Sequence, residues 1–156
     1  MTRLAKFLAT IGRLGHLPVA PGTAGSLAGL LFGLLWPAPA SWLIRTVLLV
    51  GGFLLGVFVS TITERALKIH DPGSVVIDEA WAMWALMWLM PWANPVLAIG
   101  AFALFRLFDI TKPPPLKWLA TFPRGWGIML DDLGAATYTC LLLWAASHIR
   151  FLNAVR

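Results

Sequence analysis

The sequence predicts an all-α fold: a small polytopic bundle of membrane helices, with short or broken spans and a polar site on the cytoplasmic face. Three observations predict it. Apolar residues make up 59% of the chain and charged residues only 12%, against roughly 25% charged in an ordinary soluble domain. The apolar residues fall into runs bounded by proline, glycine or charge, and in hydrocarbon such a run satisfies its own backbone as a helix. The acidic residues stand at the ends of those runs and not in their middles. A length of 156 residues leaves room for one core, so residues 1–156 are taken as a single membrane-embedded domain.

The first element is expected over residues 4–14. Arg3 and Lys6 precede residues 7–14, but that stretch is too short and interrupted for a signal-peptide core, and no small-residue cleavage site follows; a retained interfacial helix fits better. Residues 15–26 form a loop dense in glycine and proline, and the apolar run 27–36 ends at Pro37 and Pro39, which a helix does not pass. The run 41–62 spans about 33 Å at 1.5 Å per residue, enough to cross a bilayer, and closes at Glu64, Arg65 and Lys68.

A further run occupies residues 80–90; Pro91 and Pro95 bracket a turn, and residues 96–109 return. Thr111-Lys112-Pro113-Pro114-Pro115 stops that helix and is expected to stiffen the chain into an extended segment. Residues 116–124 read as a short amphipathic surface piece, and Gly125 opens a last run that continues to about residue 149. Runs 27–36 and 80–90 cover only about 15 and 17 Å as helix. Their polar ends therefore sink below the headgroups, or they are broken segments sheltered by protein.

Each apolar run flips the chain, so Ser26, residues 64–79, residues 109–112 and Asp131-Asp132 all fall on one face. Arg3, Lys6, Arg13, Arg65, Lys68, Arg106, Lys112, Lys117 and Arg124 lie on that face, leaving Arg45, Arg150 and Arg156 for the other. The positive-inside rule makes the motif face cytoplasmic.

Several function classes drop out. Cys140 is the one cysteine, so there is no intrachain disulfide, no cysteine metal cluster and, with no phosphate loop after it, no cysteine phosphatase. The net charge of +5 comes without a basic run, so the chain implies anionic membrane lipid and no nucleic acid as partner. The nine tryptophans serve as interface anchors and packing.

Chemistry gathers at the run ends. His70-Asp71-Pro72-Gly73-Ser74-Val75-Val76-Ile77-Asp78-Glu79 brings ionisable groups and a Pro-Gly turn to the mouth of an apolar helix, where a carboxylate is costly unless paired, solvated or bound to a cation. Asp78-Glu79 and Asp131-Asp132 each stand at a helix start, where acids also serve as caps. Two acidic pairs on one face exceed what two caps require. Crowded like charges call for a cation, and oxygen-only ligands favour Mg²⁺ or Mn²⁺ over zinc. Asp109 stands near a helix C-terminus, where the dipole disfavours an anion; a salt bridge to Arg106 at the i, i+3 spacing is the alternative to metal ligation. Asp71 reads as a turn residue before Pro72-Gly73.

For an anion, Gly22-Thr23-Ala24-Gly25-Ser26 can present backbone N–H groups at a helix start, or it is an ordinary turn with Ser26 as N-cap. Arg106 suits bidentate phosphate contact and Lys112 acts as a point charge. His70 is an acid, a phosphate contact or a polar loop residue, and His148 is interfacial. Acids, cations and phosphate donors on a membrane surface point to phosphoryl chemistry on a lipid headgroup.

Pro21-Gly22-Thr23-Ala24-Gly25-Ser26, His70-Asp71-Pro72-Gly73-Ser74 with Asp78-Glu79, Phe105-Arg106-Leu107-Phe108-Asp109 with Lys112-Pro113 and Pro115, and Gly127-Ile128-Met129-Leu130-Asp131-Asp132 together resemble the phosphatidylglycerophosphatase A family of bacteria. They stand in the family's order with similar gaps. Pro72 and Pro114 depart from the family pattern without removing a carboxylate or a cation. The resemblance implies an all-helical, Mg²⁺-dependent, multi-pass inner-membrane enzyme that hydrolyses phosphatidylglycerophosphate to phosphatidylglycerol and phosphate. On that basis Asp78 or Glu79 is the general base, and Mg²⁺ is held by some of Glu79, Asp109, Asp131 and Asp132. Phosphate is bound by Thr23, Ser26, His70, Arg106 and Lys112. The alternatives are a phosphatase for another lipid phosphate and, from a different class, a small transporter or channel subunit, which would place its acids at mid-span.

Overall fold

The structure, a computed structural model, describes residues 2–90 and 95–154, with side-chain surroundings up to residue 147. The expectations for Pro91 and for the side chains of Pro95, His148, Arg150 and Arg156 lie outside the described residues. In chain order the helices are α1 (Thr2–Ala9), α2 (Pro21–Leu35), α3 (Trp42–Leu67), α4 (Ile77–Leu89), α5 (Pro95–Thr111), α6 (Leu116–Leu119) and α7 (Gly125–Ala154), with a 3₁₀ turn at Leu14–His16. No strand occurs among the described residues.

Helix α4 is the core of the bundle. Ala80, Trp81, Ala82, Met83, Ala85, Leu86, Met87 and Trp88 are all buried, as an all-round apolar helix must be. Helix α2 packs on it through Gly25, Gly29 and Gly33. A Cβ on Gly29 would strike the Ala80 backbone, and one on Gly25 or Gly33 would strike the side chain of Val76 or Met87. Small residues at four-residue spacing let two backbones close to this distance, the usual way helices associate in hydrocarbon. A short apolar helix is thus sheltered by its neighbours.

The long helices lie outside this pair. Trp42–Leu67 and Gly125–Ser147 are long and apolar enough to cross a membrane. Leu43, Val47, Phe58 and Trp144 are exposed on them, a display that suits lipid better than water. Ser41 caps α3, its hydroxyl accepting the Ile44 N–H at 3.5 Å. At the same end Arg45 donates to Trp88 O at 3.1 Å and to Pro39 O at 2.9 Å. It thereby satisfies a last-turn carbonyl of α4.

Element boundaries differ from the sequence expectation in four places. Helix α1 stops at Ala9 because Ile11, Gly12 and Arg13 take positive φ, with Gly12 N–H bonded back to Phe7 O and Gly15 N–H to Thr10 O. Helix α2 starts at Pro21, with proline in its first turn, so the Gly22–Ser26 segment is helix and not loop; the fixed φ of proline suits that position. Helix α7 starts at Gly125, which places Asp131 and Asp132 nearly two turns inside it. The prolines after α5 are not extended. Lys112 takes φ 42°, and Pro113 O then accepts the Leu116 N–H at 2.8 Å, forming a turn that leads into α6.

Candidate active site

Two helices bring three acids together. Asp78 and Glu79 occupy the first turn of α4, and α7 supplies Asp132. One carboxylate oxygen from each of Asp78, Glu79 and Asp132 lies within 4.8 Å of the others. Asp78 is 7% exposed and Asp132 2%. Asp78 Oδ1, Glu79 Oε2 and Asp132 Oδ2 have no hydrogen-bond partner. Burial and the neighbouring carboxylates both disfavour charge on Asp78 and Glu79. Desolvated, mutually repelling carboxylates with free oxygens are unstable without a counter-charge.

That counter-charge fits a small hard cation. The donors are all oxygen and close enough to share one ion, which suits Mg²⁺ or Mn²⁺. Capping does not explain the α7 acids, because Asp131 and Asp132 lie about 9 Å along the axis from the helix start at 1.5 Å per residue. The first-turn position of Asp78 and Glu79 does place them at the positive end of the α4 dipole.

Beside the triad, Arg106 on α5 forms a hub. Its Nη1 lies 2.7 Å from Asp109 Oδ2, 3.2 Å from Ser26 Oγ and 3.9 Å from Glu79 Oε1. Ser26 Oγ donates in turn to Gly22 O at 2.8 Å, so its lone pairs are left for the guanidinium. The salt bridge from Asp109 to Arg106 that the spacing allowed is therefore formed. Gly22 lines the same spot, since a Cβ there would fall against Glu79 Oε1 and 3.2 Å from Arg106 Nη1.

A second cation closes the other flank. Lys112 Nζ contacts Asp131 Oδ2, whose Oδ1 accepts the Asp132 N–H at 3.1 Å. Burial alone would lower the Lys112 ammonium, but its hydrogen bond and charge contact with Asp131 outweigh this and raise it. Lys112 stays charged. The chain fold that makes this contact is the positive-φ turn at Lys112 itself.

The proposed site residues are thus regrouped. Asp78, read as a base, joins Glu79 and Asp132 in the triad, while Asp109 and Asp131 spend oxygens on Arg106 and Lys112. Thr23 lies half-buried in the first turn of α2. His70 is drawn aside, its Nδ1 2.7 Å from Glu64 Oε1 with the ring largely exposed. Asp71 has φ 46°, as a turn residue would. Sequence reading overlooked Gly22 as a spacer for Glu79; its place one turn ahead of the Gly25, Gly29, Gly33 stripe was the available signal.

The family model for phosphatidylglycerophosphatase A matches residues 7–147. The chain is 35% identical over 135 residues to phosphatidylglycerophosphatase A of Haemophilus influenzae, covering 86% of this chain and 83% of that one. It is 32% identical over 135 residues to phosphatidylglycerophosphatase A of Escherichia coli, covering 86% and 78%. A Bacteroides thetaiotaomicron protein, provisionally named a phosphatidylinositol-3-phosphatase, is 37% identical over 145 residues, covering 86% and 88%. No solved structure matches.

Proposed function

The chain belongs to the phosphatidylglycerophosphatase A family, and from that premise we propose that it hydrolyses phosphatidylglycerophosphate to phosphatidylglycerol and inorganic phosphate with Mg²⁺ as cofactor, at the cytoplasmic face of a bacterial inner membrane that it crosses several times. One observation carries the proposal. A triad of buried Asp78 and Asp132 with half-buried Glu79, each with a free oxygen, stands beside two fixed cations, Arg106 and Lys112.

The chain's residues divide the work by charge. Arg106 offers the phosphoryl group a cation already oriented by Asp109 and Ser26. The N–H groups of Gly22 and Thr23 precede the first backbone bond of α2, from Ala24 N–H to Ala20 O, and are free to donate to an anion at the helix N-terminus. Thr23 adds a hydroxyl on that turn, and Lys112 adds a point charge from the α5 end. Developing charge on the transferred phosphoryl group is offset by these preorganised donors. Asp78, Glu79 and Asp132 would hold the cation, which when bound polarises phosphate oxygens and lowers the pKa of a water. Asp78 or Glu79 would take a proton from the attacking water as its oxygen bonds to phosphorus, and would return that proton to the glycerol oxygen as its bond to phosphorus breaks, so that the lipid leaves as the alcohol.

Acids at mid-span would favour a transporter. Here they meet fixed cations at the first turn of α4 and the end of α5, which supports phosphate hydrolysis. The Bacteroides thetaiotaomicron relative favours a second reading, a phosphatase for another lipid phosphate. Phosphate release by purified protein from a panel of lipid phosphates, with Mg²⁺ and with excess chelator, tests both. Release from phosphatidylglycerophosphate above all others, abolished by chelator and restored by Mg²⁺, is the expected result. Preference for a phosphoinositide or for phosphatidic acid transfers the assignment, and full activity in chelator removes the metal from it.

A further inference from the structure

The acid cluster stands at the head of an apolar groove. Helices α3, α4 and α7 enclose a space of about 580 Å³. Two of its walls continue the helix faces that carry the acids. On α4, Trp81, Ala85 and Leu89 line the groove and follow Asp78 one, two and three turns on. On α7, Ala136 and Cys140 follow Asp132 at successive four-residue steps. These spacings keep residues on one face of a helix. From Trp81 to Leu89 the groove descends about 12 Å at 1.5 Å per residue.

The third wall is α3, and α3 and α7 are the helices long and apolar enough to cross a membrane. The groove therefore runs along the hydrocarbon depth of the bundle. Val50 and Leu141 at its lips are 51% and 56% exposed, so it opens toward the position of lipid tails. Its upper end, at Trp81 and Ala136, lies about one helical turn from Asp78 and Asp132, and Arg106 and Lys112 pair with the acids Glu79 and Asp131 next to them in sequence. An occupant that matches both ends has an anionic head and a hydrocarbon tail.

We propose that this groove seats one acyl chain of the phosphorylated lipid substrate. The proposal rests on the lipid-phosphatase reading of the site and names how that site takes hold of its substrate. A chain that leaves the bilayer for the groove exchanges one hydrocarbon environment for another, so the gain in hydrophobic free energy is small. What the groove contributes is position. With the chain held along Ala85 and Ala136, the glycerol is fixed in depth and rotation and its phosphate falls beside Arg106, which raises the effective concentration of the reacting group at the acids.

Two experiments on the full-length protein test this. In the first, wild-type protein is given phosphatidylglycerophosphate carrying a photoreactive diazirine in one acyl chain, and crosslinked residues are mapped by mass spectrometry. Crosslinks within residues 133–141 and 46–53 are expected. Crosslinks spread over the outer faces, for instance around Leu34 and Leu43, overturn the proposal. So does a groove found covered by a second copy of the chain, seen as crosslinks between protomers.

In the second, Thr137→Phe fills the groove from its lip. Thr137 is exposed and its hydroxyl bonds only to Leu133 O in its own helix, at 2.8 Å, so the ring enters open space. The variant should lose roughly tenfold in kcat/KM on the long-chain lipid and keep the wild-type value on a short-chain, water-soluble form of the same lipid. Equal loss on both substrates, or no loss on either, overturns the groove. Wild-type protein that releases phosphate from neither substrate overturns the lipid-phosphatase reading itself, a result distinct from the other two.

Discussion

The carboxylate of Glu79 occupies the space that a side chain on Gly22 would need, since a Cβ there would fall against Glu79 Oε1 and lie 3.2 Å from Arg106 Nη1. Helix α2 thus comes close enough for its first turn, the anion-binding end, to share a wall with the triad. Gly22→Ala should push the Glu79 carboxylate away and lower kcat/KM roughly 100-fold, the usual consequence of a displacement of about 1 Å. The fold should hold, because the packing of α2 on α4 depends on Gly25, Gly29 and Gly33. Phosphate release and thermal unfolding in detergent check both halves. Full turnover in the variant would detach Gly22 from the site.

The convergence of distant motifs was legible in the sequence. Each apolar run reverses the chain, so Ser26, Asp78, Arg106 and Asp131 had to share a face whatever the details, and Arg106 does reach Ser26 and Glu79. Helix starts were less legible. Pro21 reads equally as a loop residue and as a first-turn residue, and only the packing of Gly25 against Val76 shows that helix begins there. Gly125 looks like a turn residue but serves a close approach, since a Cβ on it would collide with the Val57 carbonyl. Pairing among charges was legible only as alternatives, the i, i+3 bridge from Asp109 to Arg106 being one of them. Arg106 could serve phosphate or Asp109, and Asp131 a metal or Lys112; only distances separate such options.

A common orientation of the motifs makes a labelling prediction. With Cys140 replaced by serine, single cysteines at Thr23, Ser74 and Thr111 should react with an impermeant maleimide from the same side of sealed vesicles. The positive-inside rule makes that side cytoplasmic. Labelling of the three positions from different sides would dismantle the shared site.

The triad should cost the fold stability when no cation is bound. Asp78 is buried, and Oδ1 has no partner; its carboxylate shares a small space with those of Glu79 and Asp132, which repel it. Asp78→Asn removes the charge and keeps the shape, so in chelator the variant should unfold several degrees above wild type while releasing no phosphate. Thermal unfolding with and without Mg²⁺ measures this. A variant that melts below wild type in chelator would mean that Asp78 is held by contacts that favour its charge.

Asp109 and Asp132 separate two kinds of acid at this site. Asp132 contributes a free oxygen to the triad, whereas Asp109 Oδ2 lies 2.7 Å from Arg106 Nη1 at the i, i+3 position on α5. A carboxylate engaged by a guanidinium has less charge to offer a metal, and its neutralisation acts through the arginine. Asp109→Asn keeps one acceptor oxygen but loses charge-assisted strength, so Arg106 should drift and turnover fall roughly 10- to 100-fold. The Mg²⁺ concentration for half-maximal activity should stay at the wild-type value. Asp132→Asn should instead abolish turnover or shift the Mg²⁺ requirement upward by at least roughly tenfold, because the triad loses a charged ligand that a hard cation needs. Mg²⁺ titrations of residual activity, paired with direct measurement of metal bound by each variant, decide the matter. If Asp109→Asn weakens metal binding as much as Asp132→Asn does, the ligand set extends across Arg106 and the salt bridge must open when the cation binds. An unchanged titration leaves Asp109 as the residue that positions Arg106 over the phosphate.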